Sequence, residues 1–142
     1  MSAALHLLAH VGGRAIAVPA GAVESVVDIP ECVDAPRTHP AVRGLAALRS
    51  RVVTVIDTWT VLDLPRSAEA RRAIITVVDG HHHAILVDSL EDVAPLEVEP
   101  LPAGLTLGRR WAGIVTGSAE RAGETLLVVD LAKLVGSLVA VD

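Results

Sequence analysis

Residues 42–57 read VRGLAALRSRVVTVID, and this stretch decides the fold. Two aliphatic runs, the second rich in β-branched residues, flank a short polar turn in which two arginines surround Ser50. β-branched residues favour strands, so the pattern predicts a hairpin. An unpaired guanidinium is rarely buried, and we therefore expect both arginines at the surface, where a partner can meet them. Asp57 follows the second run and is predicted to cap a short helix that ends at Leu62.

The composition favours one mainly β domain without a nucleic-acid partner. Of 142 residues 51% are hydrophobic, yet the chain has no Phe or Tyr and two Trp, so the core has to be packed from aliphatic side chains. The net charge of −5 supplies no basic stripe for a phosphate backbone. The single cysteine, Cys32, favours a reducing compartment, the cytoplasm. We find no secretory signal and no apolar run of the ~20 residues that a membrane span needs, so no direct membrane insertion is expected.

Two further hairpins are marked by their turn residues. Gly12-Gly13 separates two aliphatic runs near the N-terminus, and Asp79-Gly80 separates two more in the second half of the chain. Both dipeptides suit two-residue turns that need positive φ angles. The sequence therefore predicts antiparallel strand pairs at both places.

A weak internal duplication relates the two halves of the chain. Residues 16–26 resemble residues 85–93, and Val55-Ile56-Asp57 resembles Val128-Val129-Asp130, with Gly44 and Gly113 each opening the strand before. Two sets of about five short strands, each ending in a capped helical turn, favour two small barrels, because closure removes exposed strand edges. We expect a single domain over residues 1–142 built from two intertwined halves, roughly 1–65 and 66–142.

Three motifs in order resemble the CheW-like domain of bacterial chemotaxis: those at Gly44–Asp57, Leu86–Val93 and Val129–Val135. The resemblance extends from Leu5 to Val135. It implies two SH3-like five-stranded β-barrels with short helices. It also implies a non-enzymatic adaptor, with no cofactor and no metal, that couples the cytoplasmic tip of a methyl-accepting chemoreceptor to the regulatory domain of a CheA-type histidine kinase.

The resemblance further implies a receptor groove between the barrels, at positions matched here by Val23, Gly44, Arg49, Ala84 and Val93. Arg49 is the strongest candidate, since an exposed guanidinium offers directed donors to carboxylates. The residues by themselves also fit a solvated turn arginine, a glycine required by the backbone, and core valines. Ser50 and Thr54 stand where the family usually has Gly and Pro, so the turn and the following strand are expected to differ in shape.

Other functions have weaker support in the sequence. His81–His83 is a metal-like cluster, but its position beside Asp79-Gly80 favours a solvated hairpin tip. Cys32 and His39 would form a nucleophilic pair only if the fold joined them. The alternatives to a chemotaxis adaptor are therefore an adaptor of a non-motility signalling array and, with less support, a small metal- or thiol-dependent enzyme.

Overall fold

The computed structural model describes residues 3–30, 32–33, 40–65, 71–102 and 107–139. Strands dominate these residues, and the three α-helices among them are short. In chain order the elements are β1 (Ala4–Val11), β2 (Arg14–Pro19), a 3₁₀ turn (Ala20–Ala22), β3 (Ser25–Asp28), β4 (Val42–Leu48), β5 (Arg51–Ile56), α1 (Thr58–Val61), β6 (Arg72–Val78), β7 (His81–Leu86), β8 (Ser89–Leu96), α2 (Arg109–Ala112), β9 (Val115–Arg121), β10 (Glu124–Val129) and α3 (Leu131–Val139).

The described strands form two five-stranded sheets, which confirms the mainly β prediction and the two groups of five. Sheet A has the order β8-β1-β2-β10-β9, and sheet B has the order β3-β6-β7-β5-β4. Adding five to each strand number of sheet B, and subtracting ten from any sum above ten, gives the strand order of sheet A. The duplication therefore extends to the topology of the two sheets. Each sheet takes strands from both halves of the chain, and one parallel pairing in each, β2 with β10 and β5 with β7, joins the halves.

In neither sheet, within the described ranges, does a continuous ladder join the two edge strands. Among the described residues, one isolated bridge in each sheet connects the two edges. The segment after β3 pairs with β4 through Val33 and Leu45, and the segment after β8 pairs with β9 through Glu99 and Ser118. Two backbone hydrogen bonds of 2.8–2.9 Å form each bridge. Because the continuous ladders stop short of closure, the two predicted barrels are observed as bridged, open sheets.

A glycine at each bridge allows the two backbones to approach. A Cβ on Gly44 would lie 2.5 Å from the carbonyl oxygen of Val33, and a Cβ on Gly117 would lie 2.7 Å from that of Glu99. The structural counterpart of Gly44 is therefore Gly117. The sequence pairing of Gly44 with Gly113 was wrong, because Gly113 lies in the C-cap of α2 rather than at a strand crossing.

The main core lies where the inner faces of both sheets meet the helices. Leu7 and Val18 of sheet A and Ile74 and Ile85 of sheet B belong to it, together with Trp59. A second, smaller cluster around Leu8 packs on the opposite face of sheet A. Aliphatic residues supply nearly all of this packing, as the composition predicted.

Two aspartates cap the helices that follow β5 and β10, as predicted. Asp57 accepts a hydrogen bond from the Thr60 amide at 3.2 Å, and Asp130 accepts one from the Lys133 amide at 3.0 Å. Asp57 is fully buried, and its Oδ2 lies 3.7 Å from Nη2 of Arg43. The helix α2 was not predicted from the sequence.

Candidate functional site

The turn between β4 and β5 presents Arg49 to solvent. Arg49 and Ser50 are its two central residues, with φ angles of 48° and 68°, and both are exposed. Positive φ at both positions is typical of type I′ hairpin turns, which fit the twist of the flanking strands. Among the described residues Arg49 makes no ion pair. The guanidinium is thus held outward by the hairpin and is available to bind an anion.

This turn lacks the glycine that the other described two-residue turns use. The turns Gly12-Gly13, Asp79-Gly80 and Ala122-Gly123 all have a glycine with φ near 80° at their second position. Side chains other than glycine pay a steric cost in this region. Ser50 therefore holds the Arg49 turn in a strained conformation. The φ angles of this turn are close to those of Asp79-Gly80, and the difference in shape from the family stays a prediction.

Arg49 lies at the mouth of a cleft of about 320 Å³ in sheet B. One wall is the edge strand β3 with the preceding Glu24, and the other is the tip of the β4–β5 hairpin. The inner lining is aliphatic, and the polar groups lie at the rim. The lining residues are Glu24, Ser25, Val26, Val27, Leu48, Arg49, Arg51, Val53, Ile75 and His82.

Three charged or titratable side chains meet on one side of this cleft. The carboxylate of Glu24 lies 3.0 Å from Nε2 of His82 and 3.6 Å from Nη1 of Arg51. The same Arg51 nitrogen contacts the His82 ring. We refer to Glu24, Arg51 and His82 as the rim cluster. No local sequence signal reveals this cluster, because it depends on the parallel pairing of β5 with β7.

The five positions implied by the family resemblance fall into three environments. Arg49 is at the cleft, and Val23 directly precedes the cleft residue Glu24 while packing partly against the main core. Ala84 is fully buried in β7, and Gly44 is buried at the sheet B bridge. These two can affect a partner only through the backbone around them. Whether any of the five contacts a partner stays a prediction.

Val93 lies apart from the cleft, on β8 of sheet A. It is 49% exposed, so the hydrophobicity-based interpretation of Val93 as a core residue was wrong. It pairs with Leu7 of β1, a strand that the 3₁₀ turn before Val23 also contacts. Leu5, two residues earlier on the same face of β1, is 56% exposed. Leu5 and Val93 thus form an exposed apolar patch at the rim of the main core.

The histidine run is part of a strand rather than a solvated tip, which corrects the sequence interpretation. Asp79 and Gly80 form the turn, while His82 and His83 are partly buried in β7. Burial lowers the pKa of His83 below its usual value of 6.5, and its Nδ1 has no hydrogen-bond partner within the described ranges. Among the residues that the structure describes, no group of three potential ligands is arranged to hold a metal ion.

Cys32 is partly buried and packs against the main core. His39, the proposed partner of the thiol, lies outside the described residues. Three aspartates have structural roles: Asp57 and Asp130 cap helices, and Asp88 accepts a hydrogen bond of 2.8 Å from the Trp59 indole.

Comparison with known proteins identifies the family. The model of the CheW-like domain matches residues 6–139, nearly the whole chain. The chain belongs to the CheW-like domain family. Proteins of this family are non-enzymatic adaptors of chemotaxis signalling, and this CheW-like protein is one of them.

The fold of this CheW-like protein is that of a solved relative. The crystal structure of the scaffolding protein TtCheW from Thermoanaerobacter tengcongensis superposes with a TM-score of 0.80 and 21% sequence identity, covering 93% of this chain and 92% of that one. No curated protein matches the sequence. None of the helices in the described ranges has the length and apolarity that a membrane crossing requires.

Proposed function

We propose that this CheW-like protein couples chemoreceptors to a CheA-type histidine kinase in bacterial chemotaxis, acting in the cytoplasm. Its partners are the cytoplasmic tip of a methyl-accepting chemoreceptor and the regulatory domain of the kinase. The observation that carries the proposal is the exposed Arg49 at the mouth of an aliphatic cleft. An apolar groove with a few charges at its rim suits a helical segment of another protein. The two bridged five-stranded sheets are compatible with the SH3-like barrels of the family.

Within this proposal Arg49 binds the receptor directly, and the apolar patch of Leu5 and Val93 supplies a second contact on sheet A. Val23 lies between the two regions in the chain, next to Glu24. Gly44 and Ala84 act indirectly, because their burial leaves them to shape the hairpin and strand that carry the contacts. The receptor thus spans sheet B and the edge of sheet A.

The hairpin of sheet A provides a matched control for Arg49. The ladder pairs Leu48 with Arg51 in sheet B and Arg121 with Glu124 in sheet A, so the two turns are topological equivalents. Arg121 is an exposed arginine beside the second turn. A charge reversal there changes the net charge as much as Arg49→Glu does, but away from the cleft.

The test measures binding of the purified chain to a receptor-tip fragment and to a kinase regulatory domain by isothermal titration calorimetry. We expect Arg49→Glu to weaken receptor binding at least tenfold and Arg121→Glu to change it less than twofold. Val93→Glu should also weaken receptor binding, whereas Val98→Glu, at a valine of similar exposure (46% against 49%), should not. Absence of binding to both fragments by the wild-type chain would refute the adaptor proposal.

A further inference from the structure

The rim cluster places a carboxylate of the protein itself where a partner's carboxylate would bind. Glu24 contacts both Arg51 and His82, at 3.6 Å and 3.0 Å. Both of these cationic or titratable groups line the cleft together with Arg49. The cleft therefore contains two guanidinium groups and one carboxylate, and Arg49 has no ion pair within the described part of the chain.

The contact between Glu24 and Arg51 is weak enough to be exchanged. The side chains of Glu24 and Arg51 are 45% and 54% exposed, so water screens their attraction. Exposed ion pairs typically stabilise a protein by about 0–1 kcal/mol. A second carboxylate that enters with an apolar side chain gains burial in the cleft as well as an ionic contact. It can therefore displace Glu24 at little cost.

We propose that the cleft binds a partner segment carrying a carboxylate beside an aliphatic side chain, and that Glu24 is an internal competitor for this carboxylate. The aliphatic side chain packs on Val26 and Leu48, both partly buried in the free protein. The carboxylate binds Arg49 and Arg51, and Glu24 turns to solvent. Glu24 thus lowers the affinity of the cleft for acidic segments and makes binding depend on the apolar contact.

A second surface cavity, in sheet A, has the opposite charge. There a cavity of about 350 Å³ between the end of β8 and the end of β9 is lined by Glu97, Glu99, Glu120 and Arg121 among its charged residues. Three carboxylates against one guanidinium repel an acidic segment. The two cavities are similar in volume but differ in charge, and the charges favour the cleft in sheet B for an acidic segment.

This inference rests on the proposed adaptor function for its biological partner, but its test uses no receptor or kinase. The probes are two helical peptides that differ at one position. The first has a glutamate one helical turn from a leucine, and the second has a glutamine in place of that glutamate. Each is titrated into the full-length chain while backbone amide NMR shifts report both the dissociation constant and the residues affected. The variants are Glu24→Gln, Arg51→Gln and, as control, Arg121→Gln.

We expect the glutamate peptide to shift the amides of residues 24–27 and 48–51 and to bind several-fold more tightly than the glutamine peptide. Glu24→Gln should tighten binding of the glutamate peptide about threefold, Arg51→Gln should weaken it about threefold, and Arg121→Gln should leave it unchanged. The inference is overturned if no shifts occur, if they lie elsewhere, if both peptides bind equally, or if Glu24→Gln leaves the affinity unchanged or lowers it. The fragment experiments above judge the adaptor function separately.

Discussion

Gly44→Ala should destabilise the protein strongly, because Gly44 combines two structural demands. Its φ of +156° lies outside the range that L side chains readily adopt, and an added Cβ would lie 2.5 Å from the carbonyl oxygen of Val33. That oxygen accepts a hydrogen bond of 2.8 Å from Leu45, and the Val33 amide donates another of 2.8 Å in return. The substitution therefore strains the backbone and pushes apart the bridge across sheet B.

The expected loss of stability is the sum of the backbone strain and the lost bridge. A residue held in a sparsely populated φ region costs about 1–3 kcal/mol. Each of the two backbone hydrogen bonds of the bridge contributes about 1 kcal/mol. The lower unfolded-state entropy of alanine offsets about 0.4–1 kcal/mol. We expect a loss of about 3 kcal/mol in the free energy of unfolding, which corresponds to a fall in Tm of about 6–12 °C for a chain of this size.

Two control substitutions separate the two parts. Gly80 has a φ of +79° with open space where a Cβ would lie, so Gly80→Ala tests the backbone cost alone, about 1 kcal/mol. Gly117 has no positive φ, but an added Cβ would lie 2.7 Å from the carbonyl oxygen of Glu99, so Gly117→Ala tests the bridge, about 2 kcal/mol. Urea denaturation followed by tryptophan fluorescence measures all three variants.

A loss of stability from Gly44→Ala that is no larger than that from Gly80→Ala would contradict this prediction. Such a result would mean that the Val33 backbone moves away freely and that the bridge contributes nothing to stability. It would also leave the burial of Gly44 without a structural explanation, and a direct role in partner binding would then have to be tested for this residue.

Three further predictions concern the free energy of unfolding. Asp57→Ala should lower it by about 3 kcal/mol, because the substitution removes a helix cap and also removes the fully buried carboxylate that lies beside Arg43. Asp130→Ala removes only a cap at a helix start and should lower it by about 1 kcal/mol; equal losses in urea denaturation would contradict the prediction. Ser50→Gly should stabilise the chain by about 1 kcal/mol in the same assay, by relieving the positive φ of 68° in its turn, and a loss of stability would show that the turn is unstrained. Because burial lowers the pKa of His83 in the folded chain, the unfolded chain binds a proton at this residue at a higher pH than the folded chain does. The stability that depends on neutral His83 is therefore fully present above pH 6.5, the usual pKa of histidine, and is lost as the pH falls below that value. His83→Gln should therefore reduce the loss of stability on acidification, measured as the free energy of unfolding against pH, and an unchanged pH dependence would refute this.

Local sequence signals predicted the parts of the fold that short-range physics determines. The turns at Gly12-Gly13 and Asp79-Gly80 and the cap at Asp57 depend on a few neighbouring residues, and all three were confirmed. The parallel pairing of β2 with β10 could not be predicted in this way. It joins strands more than 100 residues apart, and no residue type marks one aliphatic strand as the partner of another.

The same limit explains the errors at the candidate site. The sequence suggested Gly113 as the equivalent of Gly44, because both precede an aliphatic run, whereas the equivalence is set by which glycine meets a crossing backbone. His82 was assigned to a solvated tip, since nothing local shows that β7 lies beside β5 and brings its side chain to Glu24. The exposure of Arg49 could be predicted, because a guanidinium in a hairpin turn is rarely buried.

The duplicated topology also allows the two sheets to be compared as possible binding surfaces. Since the two sheets share one strand order, their backbones offer equivalent hairpins. The turn residues differ: Arg49 and Ser50 in sheet B are replaced by Ala122 and Gly123 in sheet A. Of these two turns, only the first is both cationic and without glycine. If the proposed function holds, an acidic segment of a partner meets a cation on sheet B and a carboxylate-rich cavity on sheet A, and this contrast would orient the adaptor on its partner.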